Sequence, residues 1–575
     1  MKRLVIALML AVSGYAMACT NLIVSKGASA DGSTFITYAA DSHTRYGQLR
    51  YCPAADHQPG EMLKLYNYGS LKFQIEIPQP AHTYQVVGFI NEHQLAIGET
   101  TWGGISPLDK GNAEGIDYGN LIYVTLQRAK NCREAIKVMH ELVSTYGYSD
   151  GGESFSLADP NEVWIFEITS KGHFEKGAVW VARRVPDGYI SGHANQARIT
   201  TFPQEPLKWK KKGPHPAISS KHIDHIFEPE VECVYSEDVV LFALKHSEYE
   251  GDDEFFSFAD TYNPLTFSGL RACEARVYAM FNRACAERDQ SGANRTSSMK
   301  RYEAFAMGDA NAERLPLWVK PNRKLSVQDC MALMRDHFEG TPMDMTQDVG
   351  AGPFHCPYRW RPMDFEVDGK KYVHERAIST QQTGFSFVAQ CRKWLPNKLG
   401  GIIWFGVDDT YSTVYCPIYC GVTQVPICFE EGNGSMSRYS ETAAFWLFNR
   451  VSNFCYLRYD SMIVDVQRVQ QELETDFVRD EASHAKRWAQ EDNEARLVGA
   501  LNRFSNDRAE RMMRRWKELD QLLLMKYIDG NIKTVENGRI KTTPTGVVTG
   551  IKQPPYPAWF YRQIVDDHGD VLQEK

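Results

Sequence analysis

The chain has 575 residues, of which 43% are hydrophobic and 12% aromatic, and its formal net charge is −8. This length allows a large buried core or several domains, and the excess of acidic residues argues against nucleic acid as a partner. After the first 18 residues, no apolar run reaches the roughly 20 residues that a membrane-spanning helix needs. We therefore expect no stable insertion into a membrane.

The first 18 residues have the pattern of a secretory signal peptide. Two basic residues at positions 2 and 3 precede an unbroken apolar run over 4–12, and a small-x-small site follows at 16–18. The apolar run is shorter than the roughly 20 residues that cross a bilayer. The pattern predicts a signal peptide at 1–18 and therefore an exported protein, periplasmic or secreted.

Cleavage after Ala18 would make Cys19 the first residue of the mature protein. Such a residue carries a thiol and a free α-amine on the same carbon, and the amine can act as the base for its own nucleophile. The alternative is a lipoprotein in which Cys19 is acylated and anchors the chain. A lipobox prefers Leu three residues before the Cys, where this chain has Ala16, so the pattern favours a free amine and leaves lipidation open.

The first segment of the mature chain has the pattern of a β-hairpin. Two β-prone runs, 19–26 and 34–38, flank turn residues at 30–33. This hairpin would place Cys19 at a strand end and carry Asp41 back towards it. Further elements are predicted as strands at 84–90, 94–99, 163–168 and 178–183, and as a helix over 132–146 with Asn131 as its cap.

The rest of the chain mixes helices and strands. Ser236 is predicted to cap a helix that runs to His246, and Ser326 to open another helix through a capping box. Strands are predicted at 400–405 and 412–415. Because there is no regular βαβ alternation, we expect an α+β arrangement of layers rather than a doubly wound sheet.

The C-terminal part divides by composition. From 441 to 530 the sequence is charged and helix-prone, which predicts a helical region with a solvated face. The segment 531–575 is rich in Pro, Gly and Thr and is predicted to be a tail of loop or edge structure.

Neither cysteines nor histidines form a recognisable metal motif. Cys416, Cys420 and Cys428 lie close together in the sequence without a matching His or Cys cluster, so we interpret them as core thiols or disulfides. The pair His140–Glu141 lacks the second His of a zinc-protease motif. We therefore predict no metal centre.

Several separate stretches are similar, in order, to segments of one known family. They are 19–34 (CTNLIVSKGASADGST), 99–104 (ETTWGG), 260–264 (DTYNP) with CEARV at 273–277, and 400–409 with YCPIYCG at 415–421. Together they resemble the C69 family of bacterial dipeptidases, which belongs to the N-terminal nucleophile hydrolases. The similarity extends from Cys19 to the mid-400s.

The resemblance implies a fold and an activity. The fold would be a four-layer αββα N-terminal nucleophile hydrolase domain over 19–440, with the helical region 441–530 packed on it. The activity would be cofactor-independent hydrolysis of dipeptides, with Cys19 as the nucleophile and a thioester acyl-enzyme. Because an acylated amine could not act as the base, the resemblance favours an unmodified Cys19. It leaves open whether the protein forms a homo-oligomer.

The resemblance also implies roles for residues around the nucleophile. Asn195, which follows a predicted strand, is the candidate donor to the oxyanion; its alternative role is a turn residue. Asp41 aligns with the acid that closes the family's first hairpin, and would hydrogen-bond the Cys19 ammonium or thiol; its alternative role is a helix-cap or turn residue.

This chain departs from the family pattern at one position near Asp41. Where the family carries an Arg three residues before the acid, this chain has Tyr38. Arg276 or Arg271 would then supply the positive charge from elsewhere. Both lie on a predicted helix, where a surface salt bridge is the alternative.

The segment Glu99, Thr100 and Thr101 is the candidate substrate-binding stretch. It falls where related amidases place a second polar group near the oxyanion. A dipeptide carries an ammonium and a carboxylate at close range, and Glu99 is the candidate partner of the ammonium. His43 and His193 lie beside these motifs and are assigned no role.

Two other functions remain open at this stage. One is an amidase of the bile-salt or penicillin type, which shares the nucleophile and the fold and would be favoured by an apolar acyl pocket. The other is a lipid-anchored binding protein that uses Cys19 only as its anchor. Paired charges at dipeptide spacing would favour the dipeptidase.

Overall fold

A computed structural model describes residues 19–574 with the exception of 110, 112–114, 207–212, 247, 289–293 and 360–363. The predicted signal peptide at 1–18 lies outside the described residues. Within them, no helix is both long and apolar enough to span a membrane.

The strands that build the two large sheets are numbered here in chain order. They are β1 (Asn21–Val24), β2 (Thr34–Asp41), β3 (Tyr51–Cys52), β4 (Val86–Val87), β5 (Ile90–Asn91), β6 (Ala96–Trp102), β7 (Gly152–Ala158), β8 (Val163–Ser170), β9 (Ala178–Arg184), β10 (Ile190–His193), β11 (Ala217–Ser219), β12 (Cys233–Tyr235), β13 (Trp318–Val319), β14 (Thr383–Cys391), β15 (Ile402–Val407) and β16 (Cys416–Tyr419).

Further short strands form two-stranded ribbons outside these sheets. The ribbons pair Ala55–Asp56 with His82–Thr83, Met62–Tyr66 with Phe73–Pro78, Ala286–Arg288 with Asn294–Ser297, Asp364–Val367 with Lys370–Val373, Ile532–Lys533 with Ile551–Lys552, and Val535–Glu536 with Arg539–Ile540.

The α-helices are numbered in the same way. They are α1 (Tyr118–Arg128), α2 (Cys132–Tyr146), α3 (Val239–Lys245), α4 (Phe258–Tyr262), α5 (Ala275–Ala284), α6 (Glu303–Ala306), α7 (Val327–Leu333), α8 (Asn397–Gly400), α9 (Ala444–Cys455), α10 (Tyr459–Trp488), α11 (Glu494–Tyr527) and α12 (Ala558–His568).

The sixteen strands form a seven-stranded and a nine-stranded sheet in the described part of the chain. Their orders are β13-β10-β1-β2-β14-β15-β16 and β11-β12-β9-β8-β7-β6-β5-β4-β3. Within these sheets β11 and β12 run parallel, and the other described neighbours are antiparallel. Mostly antiparallel sheets with separate helices confirm the predicted α+β class.

The two sheets pack against each other, and helices contact both. Strands β1 and β2 contact β6, β7 and β8 of the other sheet. Helix α2 contacts β8 and β9, whereas α10 and α11 contact β16 and α7 contacts β14. The strands of both sheet centres are almost fully buried, so the apolar core lies between and beside the sheets.

Local sequence signals predicted several elements correctly. The helix 132–146 is confirmed, with the Asn131 side chain accepting from the Glu134 backbone amide at its first turn. Ser326 forms the predicted capping box with Asp329. The predicted hairpin is also confirmed, because β1 and β2 pair directly.

Two predicted elements are wrong in position. The helix predicted from Ser236 begins only at Val239, with Asp238 at its N-cap, because the Ser236 hydroxyl accepts a hydrogen bond from Trp180 N instead (3.1 Å). The strand predicted at 412–415 is displaced to β16. The Thr413 hydroxyl turns back to Val407 O at 2.7 Å, which holds this stretch in a turn.

The strand predicted at 84–90 is divided into β4 and β5. Gly88 separates them with a φ of +59°, a left-handed conformation that glycine adopts without steric cost. The tight turn pairs the two short strands with each other.

The cysteines are core or partly buried thiols rather than disulfides. All thirteen lie in the described part of the chain and none is paired. Cys416, Cys420 and Cys428 are buried, so the core-thiol interpretation is the correct one for this cluster.

Candidate active site

The pairing of β1 and β2 brings the Cys19 thiol beside two polar side chains. Thr20 and Ala39 exchange backbone hydrogen bonds of 3.3 and 3.0 Å, so Cys19 lies at the end of the hairpin, as predicted. It is only 2% exposed. Its Sγ lies 3.8 Å from Tyr38 Oη and 3.7 Å from Glu99 Oε1.

The backbone nitrogen of Cys19 donates to the side chain of Asn195. The distance from Cys19 N to Asn195 Oδ1 is 2.8 Å. In the full-length chain this nitrogen is a peptide N–H; it becomes the α-amine only after cleavage at residue 18. Asn195 follows β10 with a φ of +60°, a left-handed conformation that Asn tolerates better than most residues.

Asn195 also connects Cys19 to the neighbouring sheet. Its Nδ2 donates to Thr101 O at 2.5 Å. Its amide oxygen therefore faces Cys19 N and its amide nitrogen faces β6. Asn195 Nδ2 already donates to Thr101 O, so its donation to an oxyanion stays a prediction.

The Arg276 side chain forms hydrogen bonds with Cys19 and Thr20 and with the loop at Asn195. It lies at the start of α5, directly after a π-helical turn over Gly269–Glu274, a distortion often found at functional sites. Its guanidinium donates to Cys19 O (2.6 Å), Thr20 Oγ1 (2.8 Å), Ala194 O (3.1 Å) and Asn195 Oδ1 (3.0 Å). Burial, together with the nearby charge of Arg376, lowers the pKa of Arg276 to about 10.

The two candidate arginines therefore differ. Arg276 contacts the Cys19 main chain, whereas Arg271 forms an ion pair with Glu375. Arg271 thus has the salt bridge that was its alternative role, although it is only partly exposed.

Asp41 ends β2 and is paired with a cation that the sequence did not reveal. Its carboxylate accepts from Arg376 Nη2 and Thr383 Oγ1, each at 2.6 Å. Burial raises the pKa of Asp41 above its usual range, although Arg376 and Thr383 oppose the shift. The Asp41 carboxylate is thus occupied by Arg376 and Thr383, and its direct hydrogen bonding to the Cys19 thiol stays a prediction.

Sequence reasoning missed Arg376 because no motif surrounds it and 335 residues separate it from Asp41. The Asp41 backbone amide does act on the thiol: it hydrogen-bonds Cys19 and lowers its pKa. Burial, Glu99 and the Asp41 charge outweigh this and raise the pKa of the thiol well above its usual value. The thiol is thus protonated at neutral pH and requires a base to become a nucleophile.

A group of acidic side chains lies beside the thiol on β6 and β7. Thr101 and Glu153 are direct cross-strand neighbours, and Glu99 lies two residues before Thr101, on the same face. Burial and the adjacent Glu99 raise the pKa of Glu153 well above its usual range. Sequence reasoning missed Glu153; the signal for it was a lone acid within the otherwise small or apolar strand GESFSLA.

Tyr38 occupies the position where the family pattern has an arginine. Its hydroxyl donates to Glu99 Oε1. Burial, with the charges of Cys19 and Glu99, raises the pKa of Tyr38 well above its usual value, so the phenol keeps its proton and remains a donor. A neutral donor therefore stands here in place of a cation.

Thr100 points away from this acidic group. Its hydroxyl lies 2.7 Å from His193 Nδ1, and the Ser156 hydroxyl lies 2.7 Å from His193 Nε2. Burial, together with Arg198, lowers the pKa of His193 to about 3, so this imidazole is neutral and links the two sheets. The structure thus brings Glu99 and Thr101 towards Cys19 and places Thr100 against His193.

A possible metal-ligand group lies elsewhere, at the edge of the nine-stranded sheet. Among the described residues, ligand atoms of His215, His225 and Glu228 lie within 4.8 Å of one another. The Nδ1 atoms of the two histidines lie 2.9 and 2.6 Å from the Glu228 carboxylate. The group contributes no residue to the surroundings of Cys19.

The chain is thus an α+β protein with a buried thiol among charged groups. The class that emerges is a peptide hydrolase: the model of Peptidase family C69 matches residues 18–472. The chain belongs to peptidase family C69. This confirms the resemblance drawn from the sequence and the prediction of a peptide-bond hydrolase.

Several relatives are similar over most of the chain. A probable dipeptidase B of Streptococcus pyogenes serotype M1 is 22% identical over 542 residues, which cover 88% of this chain and 93% of the relative. A probable dipeptidase of Latilactobacillus sakei is 23% identical, covering 75% and 79%. One of Salmonella dublin is 24% identical, covering 73% and 85%.

Proposed function

We propose that this protein is an exported dipeptidase that uses Cys19 as an N-terminal nucleophile. The relatives named as probable dipeptidases support the substrate class. The main support for the mechanism is that polar side chains contact both the nitrogen and the sulfur of Cys19. Cys19 N lies 2.8 Å from Asn195 Oδ1, and Cys19 Sγ lies 3.7 Å from Glu99 Oε1. Removal of residues 1–18 would turn that nitrogen into an amine held beside its own thiol.

The reaction would proceed through a thioester. The α-amine, with a reference pKa of about 7.7–8.0, accepts the thiol proton directly or through a water. The thiolate attacks the carbonyl carbon of the dipeptide, and the resulting ammonium returns its proton to the leaving amino acid. The amine then activates a water, which cleaves the thioester and regenerates the thiol.

Asn195 and Arg276 have distinct proposed tasks in this reaction. Arg276 fixes the Cys19 main chain, and Asn195 Oδ1 accepts from the α-amine. If Asn195 also stabilises the oxyanion, its Nδ2 must exchange Thr101 O for the developing negative charge. Asp41, paired with Arg376, acts on the thiol through its charge and through its backbone amide.

The proposal extends to the fold and to localisation. Two facing sheets with helices on both outer sides support an αββα N-terminal nucleophile hydrolase over 19–440, with α9, α10 and α11 as the helical region packed on it. The signal-peptide pattern at 1–18 supports export to the periplasm or the medium. A lipid anchor on Cys19 is disfavoured because acylation would remove the base.

The acidic surroundings of the thiol favour a dipeptidase over an amidase of the bile-salt or penicillin type. Such an amidase would need apolar surface where the acyl group lies. Here Glu99 is 3.7 Å from Sγ, and Glu153 follows on the next strand. These carboxyls suit an ammonium next to the scissile bond.

Two measurements test the proposal. Protein expressed with its own leader should yield an unmodified N-terminal peptide that starts at Cys19; a diacylated or triacylated Cys19 would indicate the anchored binding protein instead. Cys19→Ala should lower dipeptide hydrolysis by at least about 10³-fold, whereas Cys285→Ala, at another buried thiol, should not. Equal turnover by Cys19→Ala and wild type would rule out the nucleophile.

A further inference from the structure

The acidic group on β6 and β7 contains buried polar atoms without hydrogen-bond partners. These atoms are Glu99 Oε2, Thr101 Oγ1 and both carboxyl oxygens of Glu153. Glu99 and Glu153 are fully buried, and neither forms an ion pair with a described residue. At short range, Glu153 interacts only with described side chains of the same group, Glu99 and Thr101. Buried acceptors are normally satisfied, and a buried carboxyl pair without a cationic partner leaves room for a donor from a ligand.

The charges that act on Glu153 are of one sign. Glu99 and Asp150 are the main ones, and both are acidic. By contrast, Asp41 in the neighbouring sheet has its own cation in Arg376 at 2.6 Å. Glu153, unlike Asp41, therefore has no cation among its main electrostatic partners.

We infer that Glu153 and Glu99 together form a subsite for the α-ammonium of the substrate, with Thr101 Oγ1 as the third acceptor. This inference rests on the proposed function. An ammonium has three N–H donors, and Glu99 Oε2, Glu153 and Thr101 Oγ1 supply three acceptors. The Tyr38 hydroxyl holds Glu99 Oε1, which leaves Glu99 Oε2 for the ligand.

The distance to the nucleophile selects where the ammonium lies in the substrate. Standard bond lengths place an α-nitrogen about 2.5 Å from the carbonyl carbon of its own residue, and a nucleophile attacks from about 3–3.5 Å. Glu99 Oε1 lies 3.7 Å from Cys19 Sγ. An ammonium bound to this carboxyl therefore belongs to the residue whose carbonyl the thiol attacks. The ammonium that this subsite binds is therefore that of the dipeptide's first residue.

Thr101 couples this subsite to the catalytic amine. Its carbonyl accepts from Asn195 Nδ2 at 2.5 Å while Asn195 Oδ1 accepts from Cys19 N at 2.8 Å. The same strand thus positions the base of the reaction and the acceptor set for the ammonium. Glu153 is the part of the set that no motif indicated.

The test compares two substrates that differ only in the amine. Mature protein is assayed with Ala-Leu and with propionyl-leucine, which lacks the amino group, and leucine release gives kcat/KM for each. Wild type should prefer Ala-Leu by at least about 100-fold. Glu153→Gln should reduce that preference about 10- to 100-fold, mainly by raising KM for Ala-Leu, and Glu99→Gln should act in the same direction.

Glu162→Gln is the matched control, since Glu162 is paired with Arg133 away from the thiol; it should keep the wild-type preference. If folded Glu153→Gln keeps the wild-type preference for Ala-Leu, the inference is wrong. The proposed function would still hold in that case, provided that hydrolysis depends on Cys19. If wild type cleaves neither compound, the proposed function fails, and calorimetry of Ala-Leu with Cys19→Ala decides the inference. Ala-Leu binding that becomes weaker when Glu153→Gln is added to Cys19→Ala would support the inference. Absence of Ala-Leu binding would overturn it.

Discussion

Glu153→Gln should stabilise the substrate-free protein while it impairs substrate binding. The buried Glu153 carboxyl has no ion pair with a described residue and, at short range, interacts only with the Glu99 and Thr101 side chains, neither of which satisfies its oxygens with good geometry. A poorly satisfied buried polar group costs about 1–3 kcal/mol. A glutamine amide of the same shape can donate to Glu99 and accept from the Thr101 hydroxyl. With the unfolding entropy expected for a chain of this length, the gain corresponds to a rise of about 1–3 °C in apparent Tm.

The pH dependence gives this prediction a sign that can be checked. The folded-state pKa of Glu153 is raised, so above the unfolded pKa of about 4.3 the folded state binds more protons than the unfolded state. Stability contributed by this group therefore falls as pH rises from about 4.3 towards the raised pKa. The advantage of Glu153→Gln should be small near pH 4 and should grow towards pH 8.

Thermal unfolding of the mature protein, followed by circular dichroism from pH 4 to 8, measures this advantage. Glu162→Gln provides the contrast, because it breaks the 2.6 Å pair with Arg133 and should lower Tm. A lower Tm for Glu153→Gln at neutral pH would refute the reasoning, since it would mean that Glu153 has a stabilising structural partner.

Two further predictions concern the surroundings of the site. Asp41→Asn removes the buried pair with Arg376 and should cost about 3–5 kcal/mol; an unchanged midpoint in denaturant unfolding would contradict that pairing. His193 has its pKa lowered to about 3, against about 6.5 when unfolded, so the folded state binds fewer protons and stability should fall as pH drops from about 6.5 towards 3. His193→Gln should flatten this slope in acid unfolding, and an unaltered slope would show that other groups cause it.

What the sequence predicted well depends on contacts between residues close in the chain. The hairpin that places Cys19, the Asn131 cap and the Ser326 capping box each rest on interactions within about 20 residues, which composition and spacing reveal. The displaced strand at 412–415 is instructive. Its β-branched and aromatic residues have strand propensity, but the Thr413 side chain bonds the preceding strand and turns the chain.

The residues that sequence reasoning missed depend on distant contacts. Arg376 matters because β14 pairs with β2 and brings Thr383 and the segment before it to Asp41. Glu153 matters because β7 pairs with β6 and places it opposite Thr101. A single sequence records neither pairing, so an isolated Glu in a strand and an isolated Arg in a loop carry no visible sign of their role.

The charged groups around Cys19 say more about the substrate of the proposed reaction than the identity of the proposed nucleophile does. A buried thiol with an amine as base would serve a peptidase or an amidase equally. Asp41 is paired with Arg376 within the chain, whereas the Glu99 and Glu153 carboxyls are fully buried and form no ion pair with a described residue. An N-acyl amide would place an apolar group against these carboxyls, which is unfavourable because it offers them no hydrogen-bond donor. In the proposed reaction, a substrate with a free α-ammonium would donate a charge-assisted hydrogen bond to these carboxyls beside the carbon that reacts, so the same interaction would select the substrate and orient its carbonyl.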